Sequence, residues 1–409
     1  MAGANVAAIS NVLKYRYLGP IQEQLNNDVL VTQILDLNTK NIDLDGLKAV
    51  VPLHYARNSG VGARREDEAL PTAGAQSYAA AQFDLAYLYG TARFTGQAIQ
   101  KTKTDAGAFL RVITSELDGL KNDLTLDSAR QFYGDGTGVI ATVASLAGQV
   151  ITLTSAEALD KGYLGIGMTI DIGSIANPTL RNAAVAITDA DPTVPSITIT
   201  GAGAIVANDV IFRASNADGT GSKEINAGLQ ALIPTAANTV GGINAASVGN
   251  KWWDNKRDTS GGALSLSNLM LDWNKVLAAG GRPDNMVALT TPGLVRRLFA
   301  TSDFTSNVRF VDSTQLTGGF ESISFQAGGG RVKLMADRLA PYGKVHFVDK
   351  AKIQVYSPGD WDYLSRDGLT IRWDSNKDAY LAVLFRYVNL GISQRNTSLV
   401  MSGLTDTGF

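Results

Sequence analysis

The chain has 409 residues, 45% hydrophobic and 18% charged, with a formal charge of −2 and no cysteine. At roughly 150 residues per domain this allows two or three cores and argues against wholesale disorder. Near-neutrality speaks against a dedicated nucleic-acid binder, and the missing thiols exclude disulfides and thiolate metal sites. The opening stretch "MAGANVAAISNVLKYRYLG" lacks a basic region ahead of an apolar core, so no signal peptide is expected. No apolar run approaches the ~18 residues needed to span a bilayer.

From Val51 to Gln100 the sequence first turns glycine-rich and charged, then alternates Phe83, Leu85, Tyr87 and Tyr89 with polar or small residues. This predicts a long two-stranded hairpin, a unit only marginally stable alone. No surface within the chain suggests itself as its support, so the expectation is a contact between molecules. "ARREDE", Ala63 to Glu68, sets Arg64 and Arg65 beside Glu66, Asp67 and Glu68. That composition suits a solvated loop tip and equally a two-signed patch for an oppositely patterned neighbour.

Between Lys101 and Tyr133, Ala106, Phe109, Ile113, Leu117, Leu120 and Leu124 recur at steps of three and four, the stripe of a long helix. Thr102, Thr104 or Asp105 can cap its start, and Gly134 can end it in the left-handed conformation. Gly107 and Gly119 each cost up to about 1 kcal/mol against alanine, so packing of the stripe must hold the helix. The following loop contains Gly136-Thr137-Gly138-Val139-Ile140-Ala141, a match to the loose dinucleotide fingerprint G-x-G-x-x-A. A dinucleotide site needs strand, glycines, then helix. Here the helix comes first, so the glycines read as a helix stop and turn.

Short β-branched runs then follow: "GQVITLTS", "GMTIDIG", "AAVAITDAD", "SITITG" and "NDVIFRAS". Residues 143–214 are predicted to form a small β-barrel or sandwich of their own, and "DGTG" returns at Asp218–Gly221. Beyond it, Gly241-Gly242 marks a turn and Trp252-Trp253 a buried anchor. Ser265 caps a helix with an apolar face of Leu266, Leu269, Met270, Trp273, Val276 and Leu277, stopped by Gly280-Gly281. "MVALT" reads as a strand, and Thr291-Pro292 opens the next helix. The last third is strand-rich, with Trp361 in a turn.

No catalytic constellation emerges. His54 and His346 sit in strand-like settings, far apart, and read as half-buried packing residues. Neither G-x-S-x-G nor G-x-x-x-x-G-K-[ST] occurs, and "DGTGSKE" at 218–224 lacks phosphate-loop spacing.

The order of these parts resembles the major capsid proteins of tailed bacteriophages, an α+β fold of the Hong Kong 97-like type. "GARREDEALPTAG" followed by "FDLAYLYGTARFTGQAI" is similar to the family's extended loop, residues 101–133 to its spine helix and "YGDGTG" to the turn after it. "GGRPDNMVALTTPGLVRRL" is similar to the axial domain, and "DAYLAVLFRYVNLGI" to the long peripheral strand. The resemblance implies an N-terminal arm at 1–50, an extended loop at 51–100 and a peripheral domain with the spine helix at 101–142. It further implies an inserted β domain at 143–214, an axial domain at 215–344, peripheral return strands at 345–388 and a C-terminal axial segment at 389–409.

The implied function is structural: self-assembly into pentamers and hexamers of an icosahedral virion shell around double-stranded DNA, built in the bacterial cytoplasm, with no enzyme activity, cofactor, metal or membrane. Implied partners are further copies of the chain, a separate scaffolding protein, a portal and a decoration protein, with the DNA touched non-specifically. Arg64, Arg65, Glu66, Asp67, Glu68, Phe83 and Tyr87 are the expected intersubunit contacts. Two departures stand out. No long charged coiled-coil segment precedes the arm, and no lysine occurs between Lys48 and Lys101, where some relatives carry a cross-linking lysine. The alternatives are an encapsulin-like compartment shell and, more distantly, a nucleotide-cofactor enzyme around Gly136–Ala141.

Overall fold

The computed structural model describes residues 34–38, 42–43, 48–95, 106–174, 180–201, 203–217, 222–300, 314–315, 321–327, 330–365, 371–373 and 378–406. Most of the expected N-terminal arm, the helix caps at 102–105, the repeated Asp218–Gly221 motif and the last three residues lie outside that set.

The spine of the molecule is one strand, Ala379–Ile392, at the centre of a six-stranded sheet. Ala86–Thr95 pairs with it antiparallel along its whole length, from Ala379 opposite Thr95 to Val388 opposite Ala86. The inner side chains Ala86, Leu88, Ala92 and Phe94 are buried, while Tyr87 and Tyr89 face out. The expectation that this stretch lacks a support within the chain is therefore corrected: its partner lies near the C-terminus. Ile353–Tyr356 pairs with the far end of the same long strand.

The long helix, Ala106–Tyr133, lies across this sheet. Gly90 is what lets it approach: a Cβ there would stand 2.6 Å from Leu124 Cδ1. Leu117, Leu124, Ala129, Phe132 and Tyr133 join the main core, which the six-stranded sheet also lines. Full burial of each such leucine or phenylalanine contributes about 1.5–3 kcal/mol. The helix ends through a Gly134 N–H donating to Gln131 O, but Gly134 is not left-handed. The left-handed residues are Gly136, φ 85°, and Gly138, φ 73°.

A second, seven-stranded sheet is centred on Met286–Thr290 and Val345–Asp349. Both strands are buried throughout because both faces are covered. Val287, Leu289, Val348 and Val400 face the main core. Met286, Ala288, Phe347 and Leu399 instead face the helices Leu266–Ala278 and Pro292–Ala300, meeting Leu269, Trp273, Val276, Leu294 and Leu298. Ser265 Oγ accepts from Asn268 N at 3.2 Å, and Thr291 Oγ1 from Leu294 N at 3.3 Å, the two N-caps expected. The apolar face of the first helix is narrower than its periodicity suggested. Met270 and Leu277 are 38% and 37% exposed, because the sheet covers only the Leu269, Trp273 and Val276 side.

Six antiparallel strands between Ala141 and Arg213 close into a barrel. Its core of Val143, Ile151, Ile170, Ile172, Ile187, Ile197 and Ile211 forms a cluster of its own. The hairpin Lys48–Ala56 and Ser77–Asp84 completes the fold. Its inward residues Ala49, Val51, Leu53, Ala81 and Phe83 are buried in the main core, and Tyr55 stacks on Trp252 at 4.8 Å. Trp253, 1% exposed, donates from Nε1 to Val240 O, while its neighbour Trp252 is only partly buried.

Candidate functional site

Two exposed features stand out, the hairpin end and the outer face of the central sheet. Residues 61–70 are exposed without exception. The end is nonetheless ordered by its own backbone: Arg64 Nε donates to Ala69 O and Nη1 to Ala63 O, both at 2.9 Å. Glu68 Oε2 accepts from Arg65 N and Glu68 N donates to Arg65 O, with Asp67 left-handed at φ 66° between them. This tight turn presents Arg65, Glu66 and Asp67 to solvent, flanked by Val61 and Leu70, each 85% exposed.

Tyr87 and Tyr89, 48% and 53% exposed, stand on the outer face of the central sheet. Strand pairing brings Tyr387 opposite Tyr87 and Phe385 opposite Tyr89. The Tyr87 and Tyr387 rings meet edge-on at 5.0 Å, and Phe385 lies 5.3 Å from Tyr387. The result is a row of rings with one apolar side and polar tips, the composition favoured at protein contacts. Tyr87 was foreseeable from the alternation. Tyr387 and Phe385 lay in another alternating run, but only the pairing joins the two.

Phe83 is a correction: at 3% exposure it belongs to the chain's own core and cannot reach a neighbour's surface. The two histidines also differ from expectation. His54 is exposed and bonds Gln76, whereas His346 is 1% exposed in the seven-stranded sheet. Burial, followed by the charge of Lys344, pushes His346 down to about 3.

The glycine loop after the long helix proves to be one half of a neck that carries the barrel. Asp135 Oδ1 accepts from both Thr137 N and Thr137 Oγ1, folding the loop on itself. At Gly136 a Cβ would lie 2.5 Å from Asn226 O, so the glycine permits close approach to the returning chain. Arg130 joins Asp127 at 3.1 Å and Glu224 at 2.6 Å, and Arg213 reaches Asp127 at 3.2 Å. Burial pushes the Asp127 carboxyl up, but Arg130 and Arg213 outweigh it and hold the group below its usual range. The loop therefore sits at a helix C-terminus and against backbone, the reverse of a pyrophosphate cradle. Among the described residues no three or more of His, Cys, Asp and Glu gather as metal ligands.

No protein-family model and no curated protein matches the sequence. Solved structures do. A chain of the cyanophage A-1(L) capsid asymmetric unit is similar at a TM-score of 0.51 and 14% identity, covering 95% of this chain and 93% of that one. The chain has a phage-capsid fold. A capsid chain of a native GTA particle aligns at a TM-score of 0.49 and 12% identity, over 92% of this chain and 90% of its own. The cyanophage likeness runs nearly end to end.

Proposed function

We propose that this chain is a major capsid protein, a shell subunit of the Hong Kong 97-like type that assembles into pentamers and hexamers around the double-stranded DNA of a tailed bacteriophage. The observation that carries the proposal is the hairpin: its root is in the main core, while residues 61–70 project as an ordered and wholly exposed end. An ordered apolar-flanked projection is of little use to a monomer and suits a surface on the next copy. In this reading residues 51–100 are the extended loop, 143–214 an inserted β domain and 1–50 the arm. The near-neutral charge fits a wall that contains DNA without gripping it.

The test is assembly of the purified protein, alone or with its scaffolding partner, followed by electron microscopy and sedimentation. Closed shells or free capsomers are expected. A strictly monomeric species at high concentration under all such conditions would remove the shell reading.

A further inference from the structure

Besides the neck, the barrel meets the body at a second place, around one buried cation. Lys161, just past the short helix Glu157–Asp160, is 1% exposed. Its Nζ donates to Glu157 Oε1 at 2.5 Å, to Ala340 O at 2.6 Å and to Leu339 O at 3.3 Å. The Tyr342 ring lies 4.8 Å from the same ammonium. Tyr342 N donates to Glu157 Oε1 and Tyr342 Oη to Asp160 Oδ2, while Tyr163 Oη donates to Leu339 O. Apart from the Lys161–Glu157 pair, these bonds join the barrel side, 157–163, to one turn of the body, 339–342.

Buried ion pairs are weak sources of net stability, but their hydrogen bonds are directional and fix geometry. The neck has ion pairs of its own, Arg130 with Asp127 and Glu224, beside its glycine loop. It contains the left-handed Gly136 and Gly138, and a cavity of about 180 Å³ lies between it and Lys161, lined by Gly134, Gly136, Gly138, Tyr163 and Leu339.

We propose that Lys161 and its partners on the 339–342 turn form a latch that sets the angle of the barrel on the body, with the glycine neck as the hinge that moves when the latch opens. The barrel keeps its own core when this happens, because Val143, Ile151, Ile170, Ile172 and Ile197 belong to a cluster that meets the main core at Tyr163. The inference concerns the fold and does not depend on shell assembly.

Hydrogen exchange of the purified full-length chain, read by mass spectrometry, tests it. In Lys161→Met, exchange at residues 134–140, 222–228 and 339–342 should rise about tenfold or more, the effect of losing a charge-assisted buried bond. Exchange in the barrel strands Val150–Leu153 and Thr169–Gly173 should stay at the parent level. Tyr342→Phe lies outside the barrel and removes the bond to Asp160 while keeping the ring over the ammonium. It should give a smaller rise, about threefold, at the same amides, and it decides the matter alone if Lys161→Met does not fold. Parent-level exchange at the neck in the variants overturns the latch. So does loss of protection throughout the barrel strands, which would make Lys161 part of the barrel's own stability.

Discussion

The Tyr133 hydroxyl donates to the Asp337 carboxylate at 2.5 Å, joining the last residue of the long helix to the turn after the strand Gly330–Ala336. Both residues are buried, at 2% and 7% exposure. Asp337 is held from its other side as well, accepting from Leu339 N and donating its own N–H to Thr290 O. The bond therefore ties the helix to the seven-stranded sheet. Tyr133→Phe keeps the ring and leaves a buried carboxylate short of one donor, a loss of about 1–3 kcal/mol. The urea midpoint of the unassembled subunit should fall with the slope unchanged; an unshifted midpoint would show the bond to be idle.

His346 makes a pH prediction. Its value of about 3 lies below the ordinary 6.5 because burial disfavours the cation. Below pH 6.5 the unfolded chain takes up a proton that the native chain refuses. The stability from keeping this histidine neutral is full above 6.5 and is lost progressively as pH falls toward about 3. The expected slope is about 1.4 kcal/mol per pH unit for one proton. His346→Leu should remove that one-proton component from unfolding measured between pH 6 and 4, and an identical slope in the variant refutes the assignment.

Two glycines with similar backbone angles separate strain from crowding. Gly136 and Gly148 both have positive φ, 85° and 65°. A Cβ at Gly148 meets nothing within 4 Å, whereas at Gly136 it meets the Asn226 carbonyl oxygen at 2.5 Å. Each alanine carries a left-handed penalty of roughly 1–2 kcal/mol. Gly136→Ala should lose a further 1–3 kcal/mol or so, since backbone cannot step aside as a side chain can. Equal melting temperatures for the two variants would contradict the close-packed neck.

Assembly can be separated from folding at the hairpin end. Arg64 and Arg65 are exposed, and exposed ion pairs contribute only about 0–1 kcal/mol each. A shell repeats such contacts in every subunit. Reversing both to Glu should reduce shell yield while the subunit melts within a degree or two of the parent; truncating Tyr87 to Ala should reduce yield too, with a further loss of about 0.5–1.5 kcal/mol from its ring pair with Tyr387. Unchanged yield in both variants would free these surfaces from any assembly role.

Local chemistry was enough to announce several elements. The step of three and four residues reveals the helix ending at Tyr133, and Ser265 and Thr291 declare the starts of two others, because caps and stripes depend on neighbours within one turn. The β-branched runs with their intervening turns announced the barrel strands for the same reason. Polarity around Arg64–Glu68 was enough to mark an exposed end.

Other features belong to the tertiary structure. Which alternating strand supports Tyr87 was settled by a partner near the C-terminus, Tyr387. Whether a strand histidine is wet or dry depended on how many of its sheet's faces are covered: the environments of His54 and His346 differ completely although both lie in strands. Which glycine turns left was decided three residues past the helix, where Asn226 closes on Gly136. Lys161 reads locally as an ordinary surface lysine after a short helix, and it is buried by carbonyls 178 and 179 residues away. Periodicity reports which face of an element is apolar; what covers that face is set by contacts between distant segments, which no local pattern encodes.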